Sequence, residues 1–289
     1  DIKVSNAVNA KSVYIKSVGS VTSIENGGFR NANTLSITAA ENSDIQISGN
    51  TEKNVFLNAV NVSSNEVSFN IDMESITSLE LGGSAPISLI SEGNKLEGTV
   101  VTSTNTASST INMVGSSKDL SNIASNIEVR LDNLDGTKTL VGQNQSLVFD
   151  TEINQTTSTS IPELQFSNDA SSSTSNTISL KTVDTNSNNI DNLVTLAGLV
   201  LKDIQILNLN LSESSNFEIT NDIVGPDLTK VNLTGSGDFN LNFNTIIGTS
   251  DGSTTLETSD YSGVLTLTID DSVYGLKSIT SGSGSDSLK

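Results

Sequence analysis

Acidic residues in glycine- and serine-rich turns are the residues of this sequence best suited to chemistry. Asp238 ends the run Gly235-Ser-Gly237-Asp238, Asp260 lies in a short polar turn, and Asp270 is followed by a second aspartate. A hard cation such as Ca²⁺ takes six to eight oxygen ligands from carboxylates, backbone carbonyls and water. Asp238, Asp260 and Asp270 are therefore candidate calcium ligands. The alternative is that these acids are solvated turn residues.

The composition excludes several classes of site. The 289 residues include no His, no Cys and no Trp, and 14 Lys and Arg stand against 33 Asp and Glu, so the formal net charge is −19. A histidine base, a thiolate, a His/Cys zinc site and a disulfide are excluded. The acidic balance opposes nucleic-acid binding. Apolar runs are only a few residues long, so we expect no membrane insertion and no signal peptide, and we expect the chain to be a fragment or a processed product.

Short strands that recur at a nearly constant spacing are the main structural signal. The first series, with steps of about 22 residues, is Val13, Leu35, Leu57 and Leu79. The second series, with steps of about 24 residues, is Leu207, Val231, Leu256 and Ile279. Each repeating unit is too small to bury its apolar face alone, and stacking the units creates a continuous core.

The repeats predict an all-β fold, a parallel β-solenoid with irregular loops. The alternative is an antiparallel β-sandwich, because short alternating strands with polar turns suit both folds. The regular spacing and the scarcity of aromatic residues favour the solenoid. Residues 1–96 and 193–289 are predicted to form solenoid coils, and residues 97–192 either broader coils with long loops or an inserted β-domain. One helix is predicted from Lys118 to Val129, with Ser117 as its N-cap.

The C-terminal third carries a resemblance to a known family. The run from Val194 to Leu209 resembles the segment that enters the β-solenoid of bacterial surface-layer proteins, and 254–269 resembles their repeat. The run from Ile279 to Leu288, Ile-Thr-Ser-Gly-Ser-Gly-Ser-Asp-Ser-Leu, is similar to the calcium-binding nonapeptide of RTX proteins. It departs from that pattern where Ser281-Gly282 replaces a Gly-Gly pair, and it occurs once. Overall, residues 193–289 resemble RTX-type surface-layer proteins of Gram-negative bacteria.

The resemblance implies a calcium-binding loop at Gly282, Gly284 and Asp286. In RTX turns, glycine lets the backbone bend and present its carbonyls, and aspartate supplies a carboxylate. Family membership also implies type I secretion and a calcium-dependent lattice on the outer cell surface. We therefore expect a secreted structural protein without enzymatic activity, whose main partners are further copies of itself.

Two other functions remain open at this point. The first is an RTX adhesin or biofilm-matrix protein that binds a ligand and stays monomeric with calcium. The second is a β-helix polysaccharide lyase or hydrolase, which the scarcity of aromatic residues and basic clusters disfavours. The N-terminal end is less acidic because of Lys3, Lys11, Lys16 and Arg30. A solvated face is the favoured interpretation of these residues, and the alternative is contact with lipopolysaccharide, another cell-surface glycan or a neighbouring subunit.

Overall fold

The computed structural model of the chain is nearly all β-strand. It describes residues 12–17, 22–26, 34–40, 44–50, 54–60, 66–74, 76–114, 119–131, 138–150, 161, 163–167, 176–183, 193–212, 216–220, 222–241, 246–247, 253–267 and 276–288. The chain divides into two compact units, Asp1–Arg130 and Leu131–Lys289. The three segments predicted from the sequence have other boundaries and stay a prediction.

The first unit is built from strands of four to eight residues. In chain order they are β1 (Ser12–Ser17), β2 (Thr22–Asn26), β3 (Thr34–Ala40), β4 (Asp44–Asn50), β5 (Asn54–Val60), β6 (Val67–Glu74), β7 (Ser78–Gly83), β8 (Ile87–Glu92), β9 (Val100–Ser103), β10 (Ser109–Val114) and β11 (Glu128–Leu131). A short 3₁₀ helix at Gly93–Leu96 separates β8 from β9.

Two parallel sheets run through the first unit. One has the order β1-β3-β5-β7-β9, and β2, β4, β6, β8 and β10 follow one another in the other. From β1 to β8 each strand pairs with the strand two places further along the chain, and these pairs are parallel. Such pairing means that every coil contributes one strand to each sheet, as in a solenoid. The predicted parallel β-solenoid is confirmed, and the antiparallel sandwich is wrong for the described strands.

The register of the first unit corrects one detail of the predicted repeat. Leu35 pairs with Val55, and Val55 pairs with Leu79, so the first of these two steps is shorter than the second. Leu57 instead lies between Ile37 and Leu81. The predicted step from Leu35 to Leu57 is therefore wrong, because the register partner of Leu35 is Val55, the preceding inward-facing residue of the same strand. The average spacing of the series is nevertheless preserved, because the short step and the long step compensate each other.

The second unit contains the remaining strands. They are β12 (Lys138–Val141), β13 (Gln145–Asp150), β14 (Glu163–Phe166), β15 (Thr177–Val183), β16 (Leu193–Leu196), β17 (Leu199–Lys202), β18 (Ile206–Leu211), β19 (Asn216–Ile219), β20 (Ile223–Val224), β21 (Lys230–Gly235), β22 (Phe239–Leu241), β23 (Ile246–Ile247), β24 (Thr254–Glu257), β25 (Leu265–Leu267), β26 (Leu276–Thr280) and β27 (Ser287–Leu288).

Three parallel sheets run through the second unit. Within it β13, β15, β18, β21, β24 and β26 follow one another, and the other sheets have the orders β12-β14-β17-β20-β23 and β16-β19-β22-β25-β27. From β16 to β22 each strand pairs with the one three places on, so each coil there has three strands. At the end of the unit, β24 pairs with β26 and β25 with β27, two places on. The predicted series from Leu207 through Val231 and Leu256 to Ile279 is confirmed as one ladder of register partners.

The poorly patterned middle of the chain joins the same ladder. Leu147 pairs with Leu180, and Leu180 pairs with Leu209, and both of these coils are longer than the coil from Leu207 to Val231. The described strands between residues 145 and 211 therefore belong to this ladder. The choice between broader coils and an inserted β-domain for residues 97–192 stays a prediction.

The predicted helix over 118–129 is wrong for the residues that the structure describes. Residues 119–127 form a bridge and turns, and β11 begins at Glu128. Ile123 N–H bonds to the Leu120 carbonyl and Ile127 N–H to the Ala124 carbonyl, each at 3.0 Å. Two successive tight turns thus bury Leu120, Ile123 and Ile127 at intervals of three or four residues. That spacing imitates a helical face, while Ala124 N–H bonds outside the segment, to Val101. Ser117 and Lys118 lie outside the described residues.

Alternating burial supplies the core of each unit. In β3 and β5 buried residues alternate strictly with residues that are half-exposed or exposed, and Leu, Ile, Val and Ala lie inside. In the second unit Phe217 stacks between Phe149 and Phe239, with ring centroids 6.4 and 5.8 Å apart. All three rings are buried, so they form an aromatic stack within that core. Within the described part of the chain, no helix has the length and apolar character needed to cross a membrane.

Candidate functional site

Three polar turns of the second unit stack on one another and contain most of the predicted site residues. They are residues 235–238, 258–264 and 281–286, here called the turn column. Ser262 N–H bonds to the Gly235 carbonyl at 2.9 Å, and Ser283 N–H bonds to the Tyr261 carbonyl at 3.0 Å. The turns therefore keep the same parallel register as the strands that they follow.

Gly282 and Gly284 lie directly against the backbone of the preceding turn. A Cβ atom on Gly284 would overlap the carbonyl oxygen of Gly263, and one on Gly282 would overlap that of Tyr261. Backbone oxygens cannot move aside as the end of a flexible side chain can. Glycine is therefore required at both positions for the turn of 281–286 to reach this packing distance.

Tyr261 fills the centre of the turn column. Its side chain is buried, and its hydroxyl lies within hydrogen-bonding reach of the carbonyls of Gly237 and Val264. Burial raises the pKa of the Tyr261 hydroxyl well above its usual range. The negative charge of Asp238 and, less strongly, that of Asp286 raise it further, against a hydrogen bond to the Phe239 backbone that lowers it. The charges of Asp238 and Asp286 thus both favour the neutral form of Tyr261 at the centre of the turn column.

A small depression next to the turn column brings together a set of oxygen atoms. It has a volume of about 260 Å³, and its polar lining includes Glu218, Asp238, Asn240 and Thr266; we call it the acidic depression. Asn240 donates through Nδ2 to Glu218 Oε1 at 3.4 Å, and Asp238 Oδ1 accepts the Val264 N–H at 3.2 Å. Asn240 Oδ1 is buried and has no hydrogen-bond partner among the described residues.

The donor set of the acidic depression fits a hard cation. Two carboxylates, an amide oxygen and a hydroxyl are all oxygen ligands, as calcium requires. A buried oxygen without a partner is costly unless a donor or a cation satisfies it. Across the described residues, however, no group of three or more His, Cys, Asp or Glu side chains is placed to hold a metal. Any cation here must draw on amide, hydroxyl, backbone or water oxygens as well.

The structure places the six predicted ligands differently. Gly282, Gly284, Asp286 and Asp238 all belong to the turn column, and Asp238 also reaches the acidic depression. Asp260 lies in the middle turn but is exposed, and it lines a separate groove on the outer face of another sheet. Asp270 lies outside the described residues.

The basic residues predicted to meet a glycan fall beyond what the structure describes. Lys3, Lys11 and Arg30 lie outside the described residues, and Lys16 is described only through its backbone in β1. The predicted contact with lipopolysaccharide therefore stays a prediction.

Sequence reasoning missed Glu218 and Asn240. Each is the central residue of an apolar-polar-apolar triplet, Phe217-Glu-Ile219 in β19 and Phe239-Asn-Leu241 in β22. Parallel pairing aligns Glu218 with Asn240 and Asn240 with Thr266. The signal that could have found them is this alignment of triplets, because side chains at one register position share one face of a sheet.

No family model matches the chain, and neither a curated protein nor a solved structure matches it. The resemblance of residues 193–289 to RTX-type surface-layer proteins therefore rests on the sequence motifs alone.

Proposed function

We propose that this chain is a structural segment of a secreted bacterial surface-layer protein, and that calcium promotes its self-assembly into a lattice. The observation that carries the calcium part is the acidic depression. There Glu218 and Asp238 share a cavity with the partnerless Asn240 Oδ1, and an oxygen-only donor set of this kind suits calcium.

The proposed mechanism is electrostatic. The formal charge of −19 makes copies of the chain repel one another. A calcium ion held by Glu218, Asp238, Asn240 and Thr266 would neutralise two carboxylates and tie β19, β22 and β25 together. Because Asp238 also ends the first turn of the column, the same ion would hold that turn in place. Reduced repulsion and fixed turns then allow neighbouring copies to pack.

A calcium titration of the chelator-treated protein tests both parts. Thermal melting and light scattering are followed together, because the first reports binding and the second reports assembly. We expect the melting temperature to rise and scattering to show ordered association. The matched pair of variants is Asp238→Asn, which removes the negative charge of a proposed ligand, and Asp227→Asn, which removes the same charge from an exposed turn of the same unit.

The possible results separate the alternatives. If Asp238→Asn abolishes the calcium-induced rise in melting temperature and Asp227→Asn retains it, calcium binds as proposed. If the melting temperature rises but scattering stays flat, the lattice part fails and the adhesin alternative is favoured. No response in either signal refutes calcium as the ligand of this segment.

A further inference from the structure

A second groove lies on the outer face of the sheet that contains β13, β15, β18, β21 and β24. Its volume is about 550 Å³, and it belongs wholly to the second unit. Five of its lining residues occupy one register position on successive strands, and we call them the floor: Ser146, Ser179, Asn208, Asn232 and Glu257. Because neighbouring parallel strands lie about 4.8 Å apart, the floor presents a polar group at that interval.

Side-chain hydrogen bonds order the middle of the floor. Asn232 Nδ2 donates to Asn208 Oδ1 at 2.8 Å, and Asn208 Nδ2 donates to Ser179 Oγ at 3.3 Å. Each bond runs along the stacking direction, so both amide planes are held in one orientation. An Asn side chain has two N–H donors and two acceptor lone pairs. A ladder that uses one donor per residue therefore keeps further hydrogen-bonding capacity for a ligand.

Two of the few lysines of the second unit line this groove. Residues 131–289 contain six Lys and no Arg, against 20 Asp and Glu. Two of those lysines, Lys181 on β15 and Lys230 on β21, line the groove. The acidic lining residues Glu257 and Asp260 lie at the end formed by β24 and the turn after it. The lysines therefore lie over β15, β18 and β21, apart from the acidic end, and that part of the groove suits an anion.

We propose that this groove binds an extended polysaccharide chain that carries carboxylate groups. The spacing of the strands is close to the advance of one sugar ring along such a chain, so successive rings meet successive floor residues. The asparagine and serine side chains exchange hydrogen bonds with sugar hydroxyls. Lys181 and Lys230 pair with carboxylates of the glycan through charge-assisted hydrogen bonds.

The lining also disfavours other ligands. A peptide strand would add to the edge of a sheet through backbone bonds, whereas this groove offers side chains on a sheet face. A nucleic acid would face the repulsion of the chain's formal charge of −19. None of the residues that line the groove is aromatic, so recognition depends on hydrogen bonds and charge without ring stacking. We therefore expect weak binding per sugar that increases with chain length.

The test compares a short oligogalacturonate with the fully methyl-esterified form of the same oligomer. Both probes present the same hydroxyls, and only the first carries charge. Binding to the whole chain is measured by isothermal titration calorimetry in the presence of a chelator, because free calcium would cross-link the charged probe. The chelator also makes the result independent of the proposed calcium site. We expect the charged oligomer to bind and the esterified oligomer to bind several-fold more weakly.

Three variants locate the binding on the protein. Lys230→Gln should weaken binding of the charged probe by about 1.5- to fivefold, the range for loss of one exposed ion pair. It should leave binding of the esterified probe unchanged. Asn232→Asp places a negative charge in the floor, so it should weaken binding of the charged probe more strongly than Lys230→Gln does. The matched control is Lys277→Gln, which removes an exposed lysine of the same unit that does not line the groove.

Each remaining outcome overturns the proposal. These outcomes are no binding of the charged probe, equal binding of both probes by the unmodified protein, and an equal loss in Lys230→Gln and Lys277→Gln. The last result would mean that the probe responds to overall charge and not to the groove. Thermal melting of every variant confirms that a loss of binding is not a loss of folding.

Discussion

Replacement of Tyr261 by Phe removes one hydroxyl from the centre of the turn column and nearly preserves its volume. The hydroxyl is buried and contacts the carbonyls of Gly237 and Val264. Loss of a partner for a buried polar group costs about 1–3 kcal/mol. We therefore expect the free energy of unfolding of Tyr261→Phe at pH 7 to be lower than that of the unmodified protein by about that amount.

The pH dependence of this difference tests the reasoning further. The folded protein keeps the Tyr261 proton because its pKa is raised, whereas the unfolded chain releases it above pH of about 10. The unfolded state then binds fewer protons, so stability falls with rising pH by up to about 1.4 kcal/mol per pH unit. The stability that Tyr261 gains from its raised pKa is fully present below the pKa of the unfolded chain. It is lost progressively as the pH rises from that value toward the pKa of the folded protein. Tyr261→Phe lacks the effect, so the advantage of the unmodified protein should shrink in that range.

Urea unfolding followed by circular dichroism from neutral pH to about pH 11 measures both effects. The control is Tyr14→Phe, since the Tyr14 side chain is 78% exposed and lies in the other unit. Apart from the substituted tyrosine, the ionisable groups are the same in each variant and the unmodified protein, so their contributions cancel in the differences. Two results for the difference in free energy of unfolding between Tyr261→Phe and the unmodified protein would refute the assignment of Tyr261 as a buried hydrogen-bond donor. The first is a difference of zero at pH 7, and the second is a difference that stays constant up to about pH 11.

Three further substitutions test the packing of each unit, all by the change in urea midpoint. Gly284→Ala should cost about 1–3 kcal/mol, because its Cβ overlaps the Gly263 carbonyl. Phe217→Leu should cost more than Phe69→Leu, by about 0.5–1.5 kcal/mol for each stacked ring pair that the substitution removes, since Phe69 is equally buried but lies outside the aromatic stack. Thr99→Val should cost about 1–3 kcal/mol, because the buried Ile76 carbonyl loses its hydrogen bond from the Thr99 hydroxyl at 2.8 Å. For each variant, a urea midpoint equal to that of the unmodified protein would contradict the role given to the substituted residue.

Strand periodicity made the solenoid predictable. The ladder from Leu207 to Ile279 follows from sequence alone, because the coils there differ in length by only one or two residues. In the first unit the same reasoning places Leu57 one alternation away from its true partners. Apolar residues at every second position make Val55 and Leu57 equally good candidates, and only the lengths of the intervening turns decide between them.

The third strand of each coil in the second unit was beyond prediction. β20 and β23 have two residues each, which is too short to show any alternation. β20 pairs with β17 and β23 pairs with β20, and the other partner of β17, β14, lies far away in sequence. The helix predicted for 118–129 failed for a related reason, since two tight turns bury apolar residues at helix-like intervals.

The candidate site was predictable only in part. Glycines and aspartates in polar turns identify Gly282, Gly284, Asp286 and Asp238, which the structure places in one column. Glu218 and Asn240 were not found, because each follows an apolar residue within a strand and only the register of β19 with β22 makes them neighbours.

The coils of the second unit differ in length, although their strands pair in one continuous register. The chain between Leu147 and Leu180 is longer than the chain between Leu207 and Val231, yet both pairs are register partners in parallel strands. The strands thus hold their alignment whatever the length of chain that joins them. Closing a longer connection is cheap, at about 0.6 kcal/mol for each doubling of its length. Residues added to the connection between β13 and β14 should therefore cost little stability and leave the pairing of β13 with β15 unchanged.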